Sequence, residues 1–113
     1  MAIAHAISGE VVDLLAPGMK TTPDKTIALF KAKDLEVMRL VLPAGKRMPD
    51  HSVTGSITLQ CLRGQVDLLL PDRISTLQAG QFAYVGGGVA YGLYAQIDSE
   101  MLLTIAIPAT TLA

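Results

Sequence analysis

Residues 43–64 read PAGKRMPDHSVTGSITLQCLRG. Ile57, Leu59 and Cys61 alternate with Ser56, Thr58 and Gln60, a period of two that predicts a strand over Ser56–Leu62. Pro43-Ala44-Gly45 stops the apolar run before it, because proline cannot donate to a ladder and glycine admits the turn. Arg63-Gly64 bends the chain on the other side. The stretch also carries His51, one of two histidines, and Cys61, the single cysteine. Architecture and candidate chemistry both start here.

Working outward, the chain breaks into short apolar runs divided by turn signals, which is an all-β pattern. Towards the N-terminus, Glu10–Leu15 reads as a first strand ended by Pro17-Gly18, and Thr21–Asp24 as a loop. Ile27, Phe30, Met38 and Val41 could share a helical face. The break at Ala32-Lys33-Asp34 and the β-branched content favour two strands instead, Thr26–Lys31 and Leu35–Leu42. The segment around Pro49–Gly55 reads as a loop. Towards the C-terminus the expected strands are Gln65–Leu70, Arg73–Leu77 after the Pro71-Asp72 hairpin turn, Gln81–Val85, Ala90–Gln96 and Glu100–Ile107.

The sum is about ten short antiparallel strands in one domain of 113 residues, with no repeat and no linker. Strands at this spacing must cover their edges, and a double-sheet jelly roll or small barrel does so. Leu35–Leu42 and Glu100–Ile107 are apolar on both faces. A lone sandwich buries one face of each sheet, so the second apolar face predicts a homodimer, with residues 1–34 contributing to its packing.

Composition excludes several classes. Net charge is −1 with signs interspersed, and five aromatics are too few for a base-stacking platform, so nucleic acid is not an expected partner. Ile74–Ile97 carries no formal charge, but its five glycines and three glutamines argue against a membrane span. The N-terminal MAIAHAIS lacks the basic region of a signal peptide. A single cysteine cannot form an intrachain disulfide, which makes a reducing, cytoplasmic setting the default.

On these residues the chain resembles the cupin superfamily, in particular its small single-domain RmlC-like members, over roughly residues 35–107. The first cupin motif is matched by Gly45, His51 and Gly64. Val53 stands where the second histidine would be, and Ile57 (or Ser56, with a loop one residue shorter) at the glutamate. The second motif is matched by Gly80 and Gly88, with Gly86 replacing its proline, Tyr91 its histidine and Ala95 its asparagine. The resemblance implies a double-stranded β-helix. In the family three histidines and a glutamate hold a divalent metal, and only His51 of those four is present. One imidazole and a phenol fall short of the three protein ligands an open catalytic metal site uses.

The expectation is a metal-free protein binding a small ligand in the barrel, held by His51, Tyr91, Gln60 and Ser56. A His51–Tyr91 pair across the pocket is its sharpest form. Periodicity does not choose whether the polar face of 56–62 lines the barrel or meets solvent, because a one-residue shift flips every side chain. The alternative is an oxygenase or isomerase using a divalent transition metal on His51, helped by Tyr91, Asp50 or a partner chain's His5; catalytic residues are not assigned. Cys61, with no base beside it, reads as a small buried hydrophobe. Gly86-Gly87-Gly88 reads as a loop, since no Walker lysine follows it and a strand, not a helix, comes next.

Overall fold

In a computed structural model that describes residues 6–14 and 26–109, the alternation at 56–62 becomes a strand with Ile57, Leu59 and Cys61 buried and Thr58 and Gln60 exposed. The strands are β1 (Ile27–Lys31), β2 (Leu35–Leu42), β3 (Arg47–His51), β4 (Ile57–Arg63), β5 (Gln65–Leu69), β6 (Ile74–Gln78), β7 (Phe82–Val85), β8 (Tyr91–Ala95) and β9 (Ser99–Ala106). They form two antiparallel sheets, one of five strands in the order β1-β2-β9-β4-β7 and one of four in the order β3-β8-β5-β6. The described residues contain no helix, and so none long and apolar enough to cross a membrane.

β2 and β9 pair without interruption from Leu35↔Ala106 to Leu42↔Ser99, and β4 lies on the other side of β9. Alternate residues of these strands point between the sheets: Leu40 and Leu42, Met101 and Leu103, Ile57 and Leu59. They meet Val66 and Leu68 of β5 and Tyr91 and Leu93 of β8 in one core. Side chains of this size contribute roughly 1.5–3 kcal/mol each when fully buried.

Two expectations are corrected. The described part of Glu10–Leu15, residues 10–14, is not a strand. Ile7 to Glu10 close a turn there instead, Glu10 N–H donating to the Ile7 carbonyl at 2.9 Å while Ile7 N–H donates to Glu10 Oε1 at 3.1 Å. Local side-chain bonding offers that backbone an alternative to a ladder. Second, the segment read as a loop begins as β3. Proline hid this strand, but Pro49 sits on a sheet edge and at a register irregularity between Met48 and His51, where no ladder donor is needed. The nine strands of the described residues agree with the expected number of about ten.

The second apolar face of β2 and β9 borders a cleft shared with the segment that precedes β1. Val37 and Leu102, on the outer side of the five-stranded sheet, share a cleft of about 650 Å3 with Ile7, Val12 and Leu14. Ala6 N–H anchors that segment by donating to the Leu29 carbonyl of β1 at 2.8 Å.

Candidate functional site

His51 closes β3 and Tyr91 opens β8, and the two residues face each other across that strand pair. Their positions follow from local chemistry. Tyr91 shares the inward side of β8 with Leu93 and Ala95, so its ring is in the core and only 5% exposed. The irregularity at Pro49-Asp50 resets β3 by the time it reaches His51, which remains at the solvent surface. The phenol oxygen lies 3.4 Å from His51 Nε2, and the rings meet edge to face with centroids 5.3 Å apart. Either group can donate, according to which imidazole nitrogen carries the proton.

Glycine makes the close approach of β3 to β8 possible. A Cβ at Gly92 would come within 2.5 Å of Asp50 Oδ1 and 3.1 Å of the Met48 carbonyl. Asp50 lies over that glycine and extends towards Arg47 Nη2, at 4.0 Å. The adjoining loops are tied together as well. Gly88 N–H donates to the Val53 carbonyl at 2.8 Å, and a side chain at Gly87 would collide with the Thr54 backbone. The triple glycine is therefore a packing device between the β7–β8 loop and the loop after His51.

The phenol holds its proton firmly, because burial pushes the Tyr91 hydroxyl above the ordinary tyrosine value. An acid–base pair would need the opposite shift. At neutral pH Tyr91 is a neutral hydroxyl beside the His51 imidazole, and Val53 and Met48 pack against the core. The Cys61 thiol is also pushed up by burial, partly offset by the Arg63 backbone, and as a thiol it donates to the Arg63 carbonyl at 3.4 Å. A thiol in that state is not a nucleophile.

Of the sequence-derived site residues, the structure brings His51 and Tyr91 together. Gln60 is a correction: its side chain is on the exposed face of β4, pairing in register with Phe82 and Leu102, because Ile57, Leu59 and Cys61 take the inward positions. Ser56 is half-buried just before β4, and its carbonyl accepts from Ala106 N–H at 3.0 Å. Ile57 points into the core at 2% exposure, which resolves the one-residue doubt. His5 lies outside the described residues. Gly92 was missed by sequence reading; the signal for it was a glycine inside an otherwise apolar strand, which marks a close backbone approach.

Known structures share this fold. A conserved protein of unknown function from Streptococcus pyogenes superposes with a TM-score of 0.77 at 21% identity, covering 97% of this chain and all of the other. An RmlC-like cupin from Desulfovibrio desulfuricans gives 0.75 at 18% identity, over 86% of this chain and 96% of that one. The fold is the cupin jelly roll. Catalysts share it too: salicylate 1,2-dioxygenase from Pseudoaminobacter salicylatoxidans matches 72% of this chain and a quarter of its own length, with a TM-score of 0.67 at 17% identity. No protein-family model and no curated protein sequence matches the chain. The cupin fold by itself supports many chemistries, so function has to be argued from the site.

The donor set at the site does not fit the divalent metal that the fold family implies. His51 meets a phenol that retains its proton, and Val53 and Ile57, which stand at two of the family's ligand positions in the sequence, are apolar. Among the described residues no three His, Cys, Asp or Glu side chains converge. An open divalent site uses three such ligands.

Proposed function

We propose that this cupin is a metal-free binding protein, holding a small molecule at the mouth of the sandwich beside β3 and β8. The contact between the exposed His51 imidazole and the buried Tyr91 hydroxyl carries this reading. It is a pair of polar groups of opposite accessibility, one fixed by the core and one facing solvent, set among apolar neighbours. Such convergent polar groups on an apolar wall orient a ligand. Gln60 and Ser56 do not take part. The ligand is small and partly aromatic or aliphatic, with one group that accepts or donates a hydrogen bond, because the space between the sheets at Tyr91 and Leu93 is occupied by the core.

In this reading the protein acts in the cytoplasm, where the lone buried thiol of Cys61 stays reduced, and associates as a homodimer. Its partners are a small molecule and a second copy, with neither nucleic acid nor membrane involved.

The test is native mass spectrometry and elemental analysis of protein purified without chelator, compared with His51→Ala. A copurified or added small molecule that is lost in His51→Ala, with no stoichiometric metal, supports the reading. One divalent metal per chain, lost in His51→Ala, overturns it in favour of a metal-dependent oxygenase or isomerase.

A further inference from the structure

Every open sheet ends in edge strands whose unpaired backbone groups invite another chain unless something blocks them. The two sheets here end in β1 and β7, and in β3 and β6. β1 is partly covered by this chain's own segment, through Ala6 N–H on the Leu29 carbonyl. β3 carries Pro49, a register irregularity and the charged Arg47 and Asp50. β6 begins beside the Asp72–Arg73 pair, and its Thr76 hydroxyl is tied to the Asp67 carboxylate at 2.7 Å.

Among the described residues, β7 has none of these protections. Its sequence Phe82-Ala83-Tyr84-Val85 contains no proline and no charge, and it pairs with β4 in unbroken register. It lies within Ile74–Ile97, which contains no Asp, Glu, Lys, Arg or His. Its backbone is also aimed outwards. Cys61 N–H donates to the Gln81 carbonyl and Gly80 N–H to the Cys61 carbonyl, so Cys61 turns both its groups towards this edge. Strand alternation extends that to Leu59 and Ile57, and the register carries it to Ala83 and Val85. The N–H and C=O of Phe82 and Tyr84 therefore point away from β4. Their side chains stand on the outer face, 70% and 66% exposed.

We infer that β7 is the docking surface for a second copy of this chain, by antiparallel edge pairing about a two-fold axis at Ala83. Phe82 of each copy then faces Tyr84 of the partner subunit, and two five-stranded sheets merge into one. Two features select a second copy over a foreign strand. A two-fold axis sets every charge on a strand against its own copy or a near neighbour, and a neutral strand meets no such repulsion. The same axis supplies an aromatic partner at both exposed positions, whereas a foreign segment would have to bring two. The inference rests on the homodimer reading, gives it a surface, and is independent of ligand binding at His51.

The experiment is light scattering on the full chain over a dilution series, with Phe82→Glu, Tyr84→Lys and the double variant. The parent is expected to be a dimer. Each single variant weakens it roughly tenfold or more, because symmetry counts every substitution twice. The double variant restores it, since across the axis each introduced carboxylate faces an introduced ammonium. Both side chains are solvent-exposed, so circular dichroism should show all variants folded. A parent that is monomeric at about 100 μM, roughly −5.5 kcal/mol of association, overturns both this surface and the homodimer reading. A dimer unaffected by the single variants, or not restored in the double variant, overturns the surface alone.

Discussion

Arg39 and Glu100 form a buried ion pair on the outer side of the five-stranded sheet, Nη2 to Oε2 at 2.9 Å, with side chains 5% and 7% exposed. They sit on neighbouring strands, where Arg39 is opposite Leu102 and Glu100 opposite Val41. Arg63, on β4, reaches the same Glu100 oxygen with Nε at 3.5 Å but is 45% exposed. One carboxylate thus serves two guanidiniums of very different burial.

This arrangement predicts an asymmetry. Glu100→Gln takes away the carboxylate that faces a buried guanidinium and should cost about 3 kcal/mol or more. Arg63→Ala removes a half-exposed partner and should cost about 1 kcal/mol or less. Urea denaturation of the two variants checks both, and equal losses would contradict the geometry.

Alkaline pH should weaken the fold. Burial raises the folded-state values of the Tyr91 phenol and the Cys61 thiol. Their unfolded values are about 10 and about 8.5. Below those values the stability they contribute is fully present. As pH rises through them the unfolded chain loses its protons first, and stability falls until the folded groups ionise too. Denaturation midpoints measured between pH 8 and pH 11 should decline, with Tyr91→Phe flattening the upper part of the slope.

Cys61 should resist thiol reagents in the native protein. It has no exposed surface, and its Sγ–H is directed at backbone carbonyls. Labelling should proceed at the rate at which the fold opens and become fast in denaturant. Immediate labelling of native protein by a disulfide reagent would show that the thiol is reachable.

Gly92→Ala should separate β3 from β8. The added methyl meets a movable carboxylate oxygen of Asp50 and, less closely, the Met48 backbone. Overpacking of this kind costs about 1–3 kcal/mol. Asp50→Ala removes the nearer obstacle, so Gly92→Ala should cost less in that background. A double-mutant cycle gives the coupling, and additive losses would place the clash elsewhere.

Much of this fold was legible because period-two alternation is a property of single strands. Ile57, Leu59 and Cys61 against Thr58 and Gln60 located β4, and the turn pairs Arg63-Gly64, Pro71-Asp72 and Ala79-Gly80 bounded its neighbours to within a residue or two. β3 escaped because proline signals the end of a strand, and only its place on an edge makes Pro49 tolerable. The run Glu10–Leu14 misled in the opposite direction, since β propensity without a neighbouring ladder does not make a strand.

The sequence by itself determined an all-β chain, because residue spacing encodes turns and alternation directly, and its motif resemblance pointed to a cupin fold with His51, Tyr91, Gln60 and Ser56 as polar candidates. Which way β4 faces was decided only in three dimensions, where the core admits Ile57 and Leu59 and leaves Gln60 outside. The meeting of His51 with Tyr91 also needed the tertiary structure. Forty residues apart in the chain, they touch only because β3 bulges over a glycine on the strand that carries the tyrosine.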